Sequence, residues 1–178
     1  MPRLPLAPAL GLALAAAGAA FTPAPTGDDL HAKVLAAIAA FKRDDPGLER
    51  FFAGSVGYAV FPGVGKGAIG IGGAHGTGEV FAGGRVIGTT SLTQVTIGLQ
   101  LGGQAYREVI FFETPAALES LTRGHLQLSA QVSAVAAAEG AAATAKYRDG
   151  VAVFTRAKGG LMYEASVGGQ KFSFKPLR

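Results

Sequence analysis

The 178-residue chain contains no cysteine and no tryptophan, and only 16% of it is charged. Without cysteine it has no disulfide, no thiolate metal site and no cysteine for lipid attachment behind a leader. The fold must then be held by packing, which suits a hydrophobic content of 49%. Zinc-type spacing is missing too. His31, His75 and His125 lie far apart with no H-x-x-x-H pair, so no metal site is expected. Adjacent carboxylates occur only at Asp28-Asp29 and Asp44-Asp45, at the ends of an expected helix, where capping and turn formation account for them. No G-x-S-x-G is present, and Gly54-Ser55-Val56-Gly57 lacks that spacing. Nothing forms a catalytic constellation, and neither enzyme activity nor a cofactor is expected.

What is abundant is glycine. Between Gly54 and Gly103 there are 16 glycines in 50 residues, without the every-third period of collagen. Gly65-Lys66-Gly67-Ala68-Ile69-Gly70 satisfies G-x-G-x-x-G, but a dinucleotide site needs a helix next. The chain instead continues Ile71-Gly72-Gly73, a poor helix former. Glycines inside strands mark bulges, sharp bends and close backbone approach. The expectation is an α+β fold: a strongly curved, mainly antiparallel sheet or small barrel, with an N-terminal amphipathic helix and a short second helix.

The N-terminus reads as an export leader. Met1, Pro2 and Arg3 give a positive start, Leu4 to Leu14 an apolar stretch, and Ala17-Gly18-Ala19 an A-x-A site. The run is short for a membrane span, holds Pro5 and Pro8, and has no basic stop-transfer flank. The organisation expected is a signal peptide over residues 1–20, a Pro-rich linker over 21–27 and one domain over 28–178. The product is expected to be periplasmic or secreted, and soluble rather than lipid-anchored.

Apolar residues Leu30, Val34, Ile38 and Phe41 recur at helical spacing until Asp44-Asp45-Pro46-Gly47 stops them. Leu48 to Phe52 predicts a further helical turn ended by Gly54. Strands are predicted at Tyr58–Phe61 (ended by Pro62), Ala68–Gly72, Glu79–Ala82, Arg85–Thr89, Val95–Leu101 and Tyr106–Phe112. Thr114-Pro115 opens a short helix closed by Gly124. Leu126 to Ser133 alternates as a half-buried strand, and Ala134 to Ala145 is ambiguous between helix and loop. Strands at Val151–Arg156, Leu161–Val167 and Lys171–Phe174 complete the chain. In the last of these, alternation sets Lys171, Ser173 and Lys175 against a core-facing Phe172 and Phe174.

Charge is uneven. Residues 21–120 hold 7 Lys and Arg against 9 Asp and Glu, whereas residues 121–178 hold 8 against 3. A basic C-terminal third suits anionic headgroups or a solubilising surface. Export and the core-facing phenylalanines argue against nucleic acid.

The run Gly57-Tyr58-Ala59-Val60-Phe61-Pro62-Gly63-Val64-Gly65-Lys66-Gly67-Ala68 resembles the opening signature of the SYLF family. The similarity continues through Ile71-Gly72-Gly73, Gly76-Thr77-Gly78-Glu79-Val80, and Gly98-Leu99-Gln100-Leu101-Gly102-Gly103-Gln104. Phe154-Thr155-Arg156-Ala157-Lys158-Gly159-Gly160-Leu161 is similar to its Y-S-x-S-K-G-L element. The family's W-S-x-P and G-P-x-G-R elements are replaced here by Gly88-Thr89-Thr90-Ser91-Leu92-Thr93 and Ala138-Glu139-Gly140-Ala141-Ala142. The resemblance implies a phospholipid-binding domain. Phosphoinositide and actin roles belong to its eukaryotic members, and an exported chain would not meet those partners. Lys66, placed in a glycine turn, and Arg156, Lys158 and Lys171 are the candidate lipid-binding residues; the last three cluster if the two C-terminal turns fold together. The alternative is a module that binds a protein partner without lipid, through its N-terminal helix and open strand edges.

Overall fold

The computed structural model describes residues 27–177 apart from 70, 98–103, 129–133, 159–166 and 168. The expected leader and most of the linker therefore lie outside the described residues, as does the strand expected at Leu161–Val167 save for its last residue. Helix α1 spans Gly27–Asp44 and helix α2 Glu49–Gly54. The turn between them is fixed by Asp45, which is buried. Its Oδ1 accepts from Gly47 N–H at 3.0 Å and its Oδ2 from Ala142 N–H at 2.6 Å. Helix α3, Pro115–Thr122, begins as predicted, with Thr114 Oγ1 accepting from Ala117 N–H at 3.3 Å. The ambiguous alanine-rich stretch resolves into a two-residue strand and a one-turn helix, α4, at Ala141–Thr144.

Among the described residues seven strands form one sheet: β1 Gly57–Ile69, β2 Ile71–Ala82, β3 Arg85–Ile97, β4 Gln104–Phe112, β5 Val135–Ala136, β6 Val151–Ala157 and β7 Lys171–Pro176. Their order is β5-β6-β4-β1-β2-β3-β7, antiparallel except for β5 beside β6. Three expectations need correction. Pro62 does not end β1, because a register shift between Val60 and Val64 absorbs it, and the strand runs on to Ile69. Lys66 is consequently inside β1, its backbone paired with Ala74 and Gln104, rather than in a turn. His75 likewise lies within β2, opposite Gly65 and Thr93, and not in a glycine loop.

Of the two forms expected, a curved sheet or a small barrel, the described residues make the open sheet, with β5 and β7 as its edges. It is nevertheless sharply curled. Gln170, next to the start of β7, donates from Nε2 to Glu108 Oε2 at 3.0 Å and to Tyr106 Oη at 3.3 Å, both on β4. Four strand spacings separate β7 from β4 in the ladder, about 19 Å on a flat sheet. Only a strong curl brings those side chains into contact. The stretch after α3 follows the gap, since Gln127 bridges to Lys171 and Val135 pairs with Phe154.

Each face of the sheet carries its own core. The concave face packs Phe61, Val64, Leu92, Ile110, Phe112, Leu121, Leu128 and Phe172. The convex face receives Val34, Ala37 and Phe41 of α1 and Phe51 of α2 against Val60, Val109, Phe111 and Phe154. Aromatic rings join that layer, with Phe51 5.1 Å from Phe154 and Phe52 4.8 Å from Phe111, both edge-on. Helix α1 is tied down at both ends. Glu79, 7% exposed in its side chain, takes a 2.8 Å bond from His31 Nδ1, and Asp44 pairs with Arg156.

Two strand glycines separate close packing from open space. A Cβ at Gly78 would run into the Val60 carbonyl oxygen, whereas one at Gly65 meets nothing within 4 Å. Gly78→Ala is expected to cost roughly 2–3 kcal/mol in urea unfolding, and Gly65→Ala less than about 0.5 kcal/mol. Gln170→Leu removes a donor from the buried Glu108 carboxylate and is expected to cost about 2–3 kcal/mol.

Candidate functional site

The helices cover only part of the convex face. Beyond them, one row of register partners crosses the sheet and every member is exposed. Lys158 N–H donates to Ala105 O at 2.8 Å, and Ala105 stands opposite Gly65. Gly65 stands opposite His75, His75 opposite Thr93, and Thr93 opposite Lys171. The row thus runs Lys158, Ala105, Gly65, His75, Thr93, Lys171, short side chains with a lysine at each end. Because the sheet curls, this row forms a rim around one end of it. Among the described residues, neither the rim nor the strand segments beyond it carry a carboxylate. A second tier repeats the pattern with Thr77, Ser91 and Ser173, where the two serine hydroxyls lie 2.6 Å apart.

The cations at the Lys158 end come from three elements. Arg107 of β4 is the register partner of Arg156 of β6, a like-charge pair across the ladder. Asp44 neutralises Arg156 and also faces Arg43 at 3.6 Å, and Asp29 holds Lys33 at 2.6 Å. No carboxylate among the described residues pairs with Arg107 or Lys158. The Lys158 ammonium lies over Gly63, where a Cβ would crowd it at 3.0 Å. Partial desolvation, then repulsion from Arg107 and Lys33, hold its pKa below the usual lysine range.

Of the residues expected from sequence, Lys158 and Lys171 are brought to the same rim, although β6 and β7 stand five strand spacings apart in the ladder. Lys66 has its backbone one position beyond the rim residue Gly65. Arg156 is half-buried and committed to Asp44, so it serves as an anchor for α1. Sequence reasoning missed Arg107, Lys33 and the rim position of His75. No local spacing links positions 33, 107 and 158; the register of β4 with β6 and the docking of α1 assemble them. A second depression, lined by Arg50, Phe51, Glu113, Lys146 and Tyr147, is less available for binding. There the Arg50 guanidinium already donates to the Ala142 and Ala145 carbonyl oxygens and lies over the Phe51 ring. Among the described residues no group of His, Asp and Glu is placed to hold a metal, and no helix is long and apolar enough to cross a membrane.

The depressed Lys158 pKa is directly measurable. In 13C-NMR of reductively methylated protein, Lys158 is expected to lose its proton below the usual lysine range. Arg107→Gln should move that titration upward. A Lys158 titration unchanged by Arg107→Gln contradicts the charge cluster.

Comparison with known proteins follows the same ground. Residues 93–176 match a family model described as Ysc84, Las17-binding protein actin regulator. Beta cell expansion factor A of Aeromonas veronii is 33% identical over 72 residues, 40% of this chain and 28% of that protein. The chain thus matches less than a third of that relative's length. The match takes in β4, β6, β7, α3 and the rim residues Thr93, Ala105, Lys158 and Lys171. Residues 93–176 are thus similar to the Ysc84 family, in agreement with the resemblance read from the sequence.

Proposed function

We infer that this protein is a non-enzymatic, exported envelope protein that binds anionic phospholipid through the rim of its curled sheet. The observation that carries the reading is the exposed row from Lys158 to Lys171, with no carboxylate among its members. A planar anionic surface is met by a rim of cations and short side chains without steric hindrance or like-charge repulsion. Each basic residue near such a surface contributes about 1 kcal/mol, so Lys158, Lys171 and Arg107 support reversible, salt-sensitive attachment. Arg156 contributes only by holding α1. The basic C-terminal third supports the same reading.

Export rests on residues 1–20 as a leader and 21–27 as a linker. With no cysteine for a lipid anchor, membrane contact falls to the folded domain. A second reading is favoured by the family description itself, which names a protein-binding role. In that case the chain binds a protein partner in the periplasm and needs no lipid.

Co-sedimentation of the mature protein with vesicles decides between them. Binding to phosphatidylglycerol-containing vesicles and not to pure phosphatidylcholine, weakening with salt, is expected. Lys158→Glu with Lys171→Glu should reduce binding by about tenfold or more, while Arg123→Glu on α3 changes it little. No binding to anionic vesicles at low salt would exclude the lipid reading.

A further inference from the structure

The depression at the other end of the sheet has a chemistry of its own. It is a cleft of about 480 Å³, walled by Arg50 and Phe51 of α2, Glu113 just after β4, and Lys146 and Tyr147 before β6. Ala105 on the rim and Glu113 stand at opposite ends of β4, about 25 Å apart. The floor of the cleft is aromatic, with the ring centroids of Phe51 and Tyr147 5.4 Å apart. Arg50 is pinned over that floor. Its Cζ lies 4.9 Å from the Phe51 centroid, and its Nη2 donates to the Ala142 and Ala145 carbonyl oxygens. Both bonds come from Nη2, so the donors of Nη1 and Nε are unspent among the described residues.

Glu113 and Lys146 are exposed, and among the described residues neither side chain has an ion pair or a hydrogen bond. Glu113 and Arg50 nevertheless act on one hydroxyl. Burial raises the Tyr147 pKa, Glu113 raises it further, and Arg50 opposes the rise. A carboxylate and a fixed guanidinium thus flank Tyr147 without closing on each other. An anion alone is repelled here by Glu113, and a cation alone by Arg50 and Lys146. A molecule carrying both charges complements all three. We propose that this cleft binds a free α-amino acid with an apolar side chain. Its ammonium meets Glu113, its carboxylate meets Arg50 Nη1 and Lys146, and its side chain lies against the Tyr147 ring. The volume falls within the range of small-ligand sites, roughly 300–1,000 Å³. Phosphoethanolamine, a lipid headgroup, shares the charge pattern. The free molecule is favoured because a bilayer seated on the rim lies at the far end of β4. Only that choice of source draws on the lipid reading; the cleft itself stands apart from it.

Isothermal titration calorimetry of the mature protein with L-leucine and L-phenylalanine tests the proposal. Both are expected to bind, whereas N-acetyl-L-leucine and L-leucinamide, each lacking one charge, should bind about tenfold more weakly. Glu113→Gln should weaken L-leucine about tenfold and leave N-acetyl-L-leucine no weaker than before, a selectivity that loss of folding would not give. The same variant should sediment with phosphatidylglycerol vesicles as the unmodified protein does, which separates the cleft from the rim. No heat with either amino acid at millimolar concentration overturns the proposal. So does N-acetyl-L-leucine binding as tightly as L-leucine, or phosphoethanolamine binding where the amino acids do not.

Discussion

The contact on which the rest of the molecule depends is the buried amide of Gln170. It donates to Glu108 and Tyr106 across a gap that a flat sheet could not close. All three residues are fully buried, so the Glu108 carboxylate sits out of water and takes part of its compensation from that amide. Desolvation, reinforced by the Glu108 charge, pushes the Tyr106 hydroxyl well above the ordinary phenol range. The tyrosine therefore stays neutral in the core. Holding Gln170 at β4 holds the start of β7 there as well. That is what wraps the sheet and turns a transverse row of residues into a rim with Lys158 and Lys171 on it.

A second constraint decides which part of the sheet stays bare. Helix α1 is fastened by His31 to Glu79 at its start and by Asp44 to Arg156 at its end. Between them Val34, Ala37 and Phe41 fill the convex core. The helix cannot slide toward the rim without giving up a nearly buried carboxylate partner at one end. Glycine does related work in the strands. Gly78 lets β2 pass close to the Val60 carbonyl, and Gly63 leaves room for the Lys158 ammonium.

Much of this was legible in the sequence where the signal is local. The stripe Leu30, Val34, Ile38, Phe41 specified α1, Thr114-Pro115 specified α3, and the alternation after Lys171 gave the orientation of β7. Strand ends in the glycine-rich stretch were misread because glycine and proline carry turn statistics. Here a register shift at Pro62 and close strand packing use them inside long strands instead. Lys66 and His75 were assigned to turns for that reason. Composition and resemblance had pointed to Lys158 and Lys171 as candidates. They did not point to Arg107 and Lys33, because only the pairing of β4 with β6 and the seat of α1 bring those two to Lys158. The curl itself had no local signature beyond glycine density, since it hangs on a glutamine and a glutamate 62 positions apart.

The claim that binds these parts together is that one end of the curled sheet faces an anionic membrane. The lack of native cysteine allows a nitroxide to be placed at single sites through Thr93→Cys on the rim and Ala116→Cys on α3. Electron paramagnetic resonance then measures collisions with a water-soluble relaxant before and after phosphatidylglycerol vesicles are added. The account predicts that the Thr93 label becomes shielded from the aqueous relaxant on vesicle addition while the Ala116 label stays fully accessible. Shielding at Ala116 with Thr93 still open to water would contradict it.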